Sequence, residues 1–446
     1  MDCLERRLPG CGAEADLGHS PGAGEASGDI AGLEPVTRFA TDEVKRSKNL
    51  SVDAFHAVCG RAADESKGIS KATVAGDIVS VADGDYEIGS KITVSKAITI
   101  RGNVDDCSKV VVNCKGVQHA LSNESEDGWS VSGFTFTNIY RVVYSKKAVT
   151  VSHCVFRDVK PGSTLGGEAL CFPAGSADGL KIVEDCLFDN LYSGGKGAIY
   201  LDNTFPITIR RCIFRGCYGG GVRKNSDTGT IELTAEDCEF SDCGGWGGAV
   251  NLMANNKKTQ YFRNCLFARN DATPSGWTAC GSAVSTKNSF GIYENCTFAD
   301  NTCSLSQSTS AAAVYANGGN STFKNCVFWN NLHANGSGGL VTAETSVSGT
   351  YTASNCAAPT AAPLTGDTNI KLSASPFAAA GVYTLAQKID GADNPCLGAG
   401  VKLDWMTEDS KDLAGNPRLR GKKKDIVDLG CYEFVETARG LLILIN

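Results

Sequence analysis

Much is scarce in this chain, and each scarcity closes a door. No stretch approaches the roughly 18–20 consecutive apolar residues that a membrane-spanning helix needs. The apolar tail Leu441 to Ile445 is only five residues long. The opening residues, MDCLERRLPG, lack the apolar run of a secretion signal. Histidine is limited to 5 residues and no Cys-x-x-Cys pair occurs, which leaves no zinc site and no other metal to expect. Proline, at 12 residues, is too sparse for long stiff linkers. Positive charge is not in excess either: the formal net charge is -7 and the pI near 5.4, so no overall field gathers nucleic acid. The one basic run, RLRGKKK at Arg418 to Lys424, is short and reads as a solvated turn.

What is present is repetition. The 446 residues are 42% apolar and 20% charged, as in a soluble protein, and they include 51 glycines and 20 cysteines. DCLFDN, DCEFSD, NCLFARN, NCTFADN and NCVFWNN are one motif rewritten. Its cysteines are Cys154, Cys186, Cys212, Cys238, Cys265, Cys296, Cys326 and Cys356, spaced 26 to 32 residues apart. A Phe follows two places on at 156, 188, 214, 240, 267, 298 and 328, and Phe136 extends the register upstream. A fixed motif inside a wandering period means constant strands and variable loops.

Residues two apart share a face of a strand, and ITIRRCIF and KIVEDCLF continue the alternation upstream. Such a strand buries its Cys and Phe only when stacked on copies of itself about 4.8 Å away. Each buried Phe then contributes roughly 1.5–3 kcal/mol. The Asn after the Phe, as at Asn190, Asn270, Asn301 and Asn331, suits a left-handed bend, and stacked amides form ladders. The predicted fold is all-β, a parallel β-solenoid.

A second strand recurs after each corner: GAIYLDN, GGVRKNS, GAVNLMAN, SAVSTKN and AAVYANG. Its register turns Ile199, Val222, Val250, Val284 and Val314 inward, and Tyr200, Arg223, Asn251, Ser285 and Tyr315 outward. Asp202, Asn225, Met253, Lys287 and Asn317 form a second outward row. Lys224 falls at an inward position, which calls for a bulge or a snorkelling side chain.

Phe-x-x-Asn at 267–270, 298–301 and 328–331, with Gly-Gly-Ala-Val at 247–250, resembles the repeat pair of polymorphic outer-membrane proteins. More broadly the chain resembles the right-handed parallel β-helix, pectin-lyase-like superfamily, whose first coils are similar to residues 76–103. YTLAQ, NPCLGAG, DLAGNPRLRG and DIVDLGCYEF, within 383–434, resemble the choice-of-anchor Q domain of bacterial surface proteins. These likenesses imply a right-handed coil and a secreted or cell-surface protein.

The organisation expected is a disordered segment over 1–40, a helical cap over 41–75, the β-helix over 76–356, a C-terminal cap over 357–434 and a tail over 435–446. Column cysteines in register point the same way, which is poor disulfide geometry, so they are expected to be buried thiols. Cys217 and Cys243 suggest a second, shorter stack.

Two functions compete. A non-catalytic adhesin or glycan-binding module would present its outward rows to a polysaccharide or cell-surface glycan, with Tyr200, Asp202, Arg223, Asn225, Asn251 and Tyr315 as contacts. A polysaccharide lyase acting on a uronate polymer would need a base and a carboxylate neutraliser, for which Asp202, Arg223, Lys224 and Lys287 are the candidates. Calcium enters only under that alternative. Glycosidase chemistry has less support: Asp105-Asp106 reads as a turn, and His153, beside Cys154, points to solvent. The binding reading is favoured, in a monomer without nucleic-acid partners.

Overall fold

The computed structural model describes residues 47–49 and 75–436, apart from 125–127, 160–167, 174–178, 203–204, 225–228, 246, 253–256, 273–280, 305–312, 335–339, 343–346 and 362. Alternating apolar residues form short strands that pair in parallel with the equivalent strand of the next coil, in unbroken register for most of the length. The seven Cys-x-Phe strands lie in a sheet of 12 strands among the described residues. The Ile199–Leu201 type makes a second face and the Phe205–Arg210 type a third. These last two merge into one sheet because Val314–Lys324 runs through both. The predicted parallel β-helix is the fold observed.

The N-terminal helix is not seen where it can be checked. Ser47–Asn49, inside the interval expected to be helical, form a strand paired with Ile78–Ser80. An exposed sheet edge is covered as well by one more strand as by a helix. Among the described residues there is no α-helix, only the single 3-10 turn Cys107–Lys109, whose N-cap is Asp106. The other residues of 1–74, and the tail beyond Glu436, lie outside the described residues.

The core is a set of columns running along the coil axis. Phe136, Phe156, Phe188, Phe214, Phe240, Phe267, Phe298 and Phe328 stack with ring centroids 4.6 to 5.4 Å apart. A second stack, Phe262–Tyr293–Phe323, meets the first edge-on. Ile199, Val222, Val250, Val284 and Val314 are in register and fully buried. Lys224 needs no bulge: it pairs in register with Leu201 and is buried.

Each coil turns twice through the left-handed region. One turn precedes the Cys, at His153, Asp185, Arg211, Asp237, Asn264, Asn295, Asn325 and Asn355, all with φ between 51° and 55°. The other lies two residues after the Phe, at Asn138, Asp158, Asn190, Gly216, Asp242, Arg269, Asp300 and Asn330. Asn and Asp tolerate this region better than other residues with a side chain. Here the sequence reading needs correction. Asn190 is a bend residue, exposed at φ 51°. Asn270, Asn301 and Asn331 sit one place later, buried, and they alone form the amide ladder.

That ladder has a definite task. Beyond the bend, the N–H groups of Cys243, Asn270 and Asn301 donate to the side-chain oxygen of the next coil's Asn270, Asn301 and Asn331 at 3.0, 3.1 and 3.3 Å. The amide nitrogens donate back to the carbonyls of Phe240, Phe267 and Phe298 at 2.9 to 3.0 Å. Cys217 and Cys243 occupy the same column, their thiols 3.5 Å from the carbonyls of Phe188 and Phe214.

At the other turn the last pair of the main Cys column repeats part of the device: the N–H of Cys326 donates to the sulfur of Cys356 at 3.4 Å. Six of the eight thiols, Cys186 to Cys326, also stand near a carbonyl of the coil before, at 3.4 to 3.8 Å. All eight are unbridged and fully buried, and burial pushes the Cys186, Cys265 and Cys326 thiols well up. Cys107, outside the columns, is disulfide-bonded.

The segment after Pro359 first adds one more strand to the end of the Cys-x-Phe sheet, Ile370–Leu372 pairing in parallel with Ala357–Pro359. The residues that follow run back along the solenoid. They lie along the outer side of the Cys-x-Phe face, where Leu266, Ala268, Ala299 and Val327 pack against Leu372, Phe377, Leu385 and Leu429. Arg418 is not in a solvated turn but fully buried. It bonds Glu433 at 2.8 Å, the Gly430 and Cys431 carbonyls, and Asn264 of the solenoid. A buried guanidinium with so many acceptors is a clamp between the two parts. Lys422 and Lys423 are the exposed members of that run.

Two outcomes are expected. Asn301→Ala strips both directions of the ladder and should cost about 2–4 kcal/mol in guanidinium unfolding. Asn190→Ala, an exposed bend, should cost about 1 kcal/mol. Equal costs would remove the distinction. Alkylation of the native protein should leave the eight column thiols unmodified by mass spectrometry, with all eight labelled once guanidinium has unfolded it.

Candidate functional site

The outward side of the Ile199–Leu201 face was the predicted site. Its first row is aligned as expected, Tyr200, Arg223, Asn251, Ser285 and Tyr315 pairing coil to coil. It is not an open stripe. Arg223, Asn251, Ser285 and Tyr315 are buried. The glycine bends that enter these strands fold back over them. A Cβ on Gly247 would stand 1.8 Å from the Asn251 amide nitrogen, and one on Gly197 3.0 Å from the Arg223 Cβ. The Gly281 N–H donates to Ser285 Oγ at 2.9 Å. Only glycine brings the backbone so close.

The other candidates scatter. Lys224 points into the core, and Lys287 is half-buried, paired with exposed Asn317. Asn225 and Met253 lie outside the described residues. Tyr200 and Asp202 remain half-buried, and the Tyr200 hydroxyl donates to Asp202 Oδ2 at 3.1 Å. Burial and the neighbouring Asp202 push the Tyr200 phenol well up, so it stays protonated. Burial pushes the Arg223 guanidinium down to about 10.

Around Tyr200 the structure assembles a cluster that the sequence reading missed. The residue two places before the inward Ile or Val is Gly197, Gly220 and Gly248 in three successive coils, with φ from 75° to 96°, and Ser282 in the coil after them, outside the left-handed region. In three earlier coils that place is held by His119, Arg141 and Glu168. Arg141 Nη1 lies 3.4 Å from His119 Nε2, and its Nε and Nη2 donate to the Glu168 carboxylate at 3.3 Å each. Lys196 Nζ is 3.9 Å from Glu168 Oε1 and 5.6 Å from the Tyr200 ring centroid. His119 stacks on Tyr144 at 3.9 Å. Burial and the Arg141 charge push the His119 imidazole down to about 4, so it is neutral at pH 7.

Two of these residues are strained. His119 has φ 58° and Arg141 φ 110°, in a position that glycine fills without cost elsewhere. Such conformations cost of order 1–3 kcal/mol for a residue with a side chain and concentrate at functional sites. The surface so built carries Tyr144 and Tyr200 two coils apart, with the cations Arg141, Lys146 and Lys196 beside them. It can stack against sugar rings and pair with carboxylates. Extending the second-strand alignment two residues upstream is the step that would have exposed it.

The family description "Right handed beta helix region" matches residues 181–357, which gives the coil its hand. Among proteins of curated function, none matches the chain in sequence. The chain is similar to a solved pectate lyase, with 15% identity and a TM-score of 0.40, over 87% of this chain and 96% of that one. It is also similar to the catalytic unit of a thermostable alpha-1,3-glucanase from Streptomyces thermodiastaticus, with 14% identity and a TM-score of 0.32, over 69% and 67% of the two chains. The architecture of this chain is the right-handed parallel β-helix.

Proposed function

We propose that the chain is a non-catalytic glycan-binding β-helix protein, secreted or held at a bacterial surface. Its binding face is centred on Tyr144, Lys196, Tyr200 and Asp202. The observation that carries this reading is Arg141, held at φ 110° where later coils use glycine. Glycine would serve the backbone there with less strain, whereas the arginine supplies the charge partner of the fully buried Glu168 carboxylate. The side chain is therefore kept for what it does, which is to fix Glu168 and Lys196 behind a half-exposed tyrosine. A polysaccharide bearing carboxylates suits the three cations and two rings. The likeness of residues 383–434 to a surface-anchoring module supports the location.

One observation favours the lyase alternative. Arg223 has its guanidinium lowered to about 10, the direction a general base requires. Against it, Arg223 is buried and the groups that would work with it do not converge: Asp202 is bonded to Tyr200, Lys224 faces the core and Lys287 lies two coils further on.

The test is affinity electrophoresis and calorimetry against a panel of acidic polysaccharides, with ultraviolet absorbance followed for unsaturated uronide ends. Tyr200→Ala should weaken binding about tenfold, near 1.4 kcal/mol. The double variant Arg141→Gly/Glu168→Gln should lose it while keeping wild-type guanidinium stability. No absorbance should develop. Turnover abolished by Arg223→Lys would make the protein a lyase instead.

A further inference from the structure

A second outward column runs along the corner that follows the Phe ladder. Its members in register are Tyr192, Tyr218, Gly244, Asp271 and Thr302. Tyr192 and Tyr218 are among the few large hydrophobic side chains on the surface, 50% and 43% exposed. Their rings stack face to face at 4.8 Å and 2°. The stack then stops. Tyr218 turns its other face toward the next coil, and the residue in register there is Gly244.

That glycine is not demanded by the backbone. Its φ is in the ordinary range, and a Cβ added there would meet only the Asp271 carbonyl oxygen, at 3.4 Å, an ordinary contact. Gly245 and Gly219, its neighbours along the chain and the coil, differ: they have φ 104° and 105°. With Gly244 in register, no side chain of that column among the described residues lies directly against the second face of Tyr218. The next side chain in the column is Asp271, two coil spacings or about 9.6 Å from Tyr218. A pyranose ring lying about 4 Å from the tyrosine face leaves about 5 Å to the carboxylate level, within reach of a sugar hydroxyl and its hydrogen bond.

Asp271 is equipped as the far wall. Its Oδ1 accepts from Ser304 Oγ at 3.0 Å, which holds the carboxylate in place, and half-buried Thr302 follows it. Burial pushes the Asp271 carboxyl up from its ordinary value. A carboxylate accepts hydrogen bonds from hydroxyls and repels uronates, so this slot selects uncharged sugars, whereas the face around Tyr200 carries Arg141, Lys146 and Lys196 paired with Glu168 and Glu124.

We infer that Tyr218, Gly244 and Asp271 form a separate subsite for one neutral pyranose unit of a glycan, stacked on the Tyr218 face that Gly244 leaves without an in-register side chain. The inference deepens the glycan-binding reading but uses different residues, so the two can fail independently.

The experiment is affinity electrophoresis of the full chain in neutral gels (mannan, xyloglucan, hydroxyethyl cellulose) and in a polygalacturonate gel. Gly244→Leu is the decisive variant, because it fills the slot and removes no binding group; Gly244→Ala and far-UV circular dichroism report on folding. At least one neutral polymer should retard the wild type. Gly244→Leu and Tyr218→Ala should each weaken that retardation about tenfold, and Asp271→Asn severalfold, with polygalacturonate binding unchanged. Tyr200→Ala should show the reverse pattern. A wild type that no neutral polymer retards, or a folded Gly244→Leu that is retarded like the wild type, overturns the subsite. Loss of polygalacturonate binding alone bears only on the face around Tyr200.

Discussion

One buried N–H per turn governs this molecule. A coil can close only by passing through the left-handed region, and the residue beyond each bend has its N–H turned out of the sheet ladder. A buried N–H without a partner costs about 1–3 kcal/mol. The solution is the same at both turns: an inward side chain on the next coil that accepts there and donates elsewhere. Asn270, Asn301 and Asn331 do this with an amide. Cys356 does it with a thiol, accepting from the Cys326 N–H. Cysteine is the smaller of the two and packs as a hydrophobe beside the Phe column. After Cys356 an asparagine takes over, since the Cys356 N–H donates to Asn369 Oδ1 at 3.0 Å. The repeated cysteines are thus buried spacers, most of them with the thiol near a carbonyl of the preceding coil and all eight unbridged.

This requirement also explains what is free to vary. The strands, the bends and the two donor–acceptor columns are fixed by one another, while loop length between them is not. The period can wander from 26 to 32 residues without disturbing a single pairing register in the Phe column. Each coil adds about 4.8 Å of height whatever its loops do. The C-terminal cap exploits that regularity by lying along a flat side. Arg418 reaches Asn264, and the Asn325 side chain bonds the Val401 backbone in both directions, so bend residues of the solenoid serve as docking points.

The regular parts of this arrangement were readable in the sequence because each is a period-two pattern copied many times. Cys-x-Phe, the inward valines and their register all follow from spacing alone. The failures share a different cause. Asn190 and Asn301 look alike in DN and DN, yet one residue of offset separates an exposed bend from a buried ladder. Arg223 and Tyr315 do face outward, but burial depends on where a glycine bend folds, which alternation does not report. Arg418 sits in a run of bases, and only the tertiary structure brings Glu433 and three other acceptors around it. Arg141 and Glu168 escaped because each occurs once, in coils too irregular to join the repeat.

In a solenoid every position has a set of structural equivalents, so each departure is measured against a local standard. Glycine at 197, 220 and 248 defines what the backbone wants at that place, and His119 and Arg141 depart from it at a cost in strain. Gly244 is the converse case: tyrosine fills the place in two coils, and the backbone would accept a side chain at the third. One departure adds a side chain where none fits easily, and the other omits one where it would fit. Neither improves packing. Both change what the outer surface offers to a ligand, on a lattice rigid enough to hold the change in place.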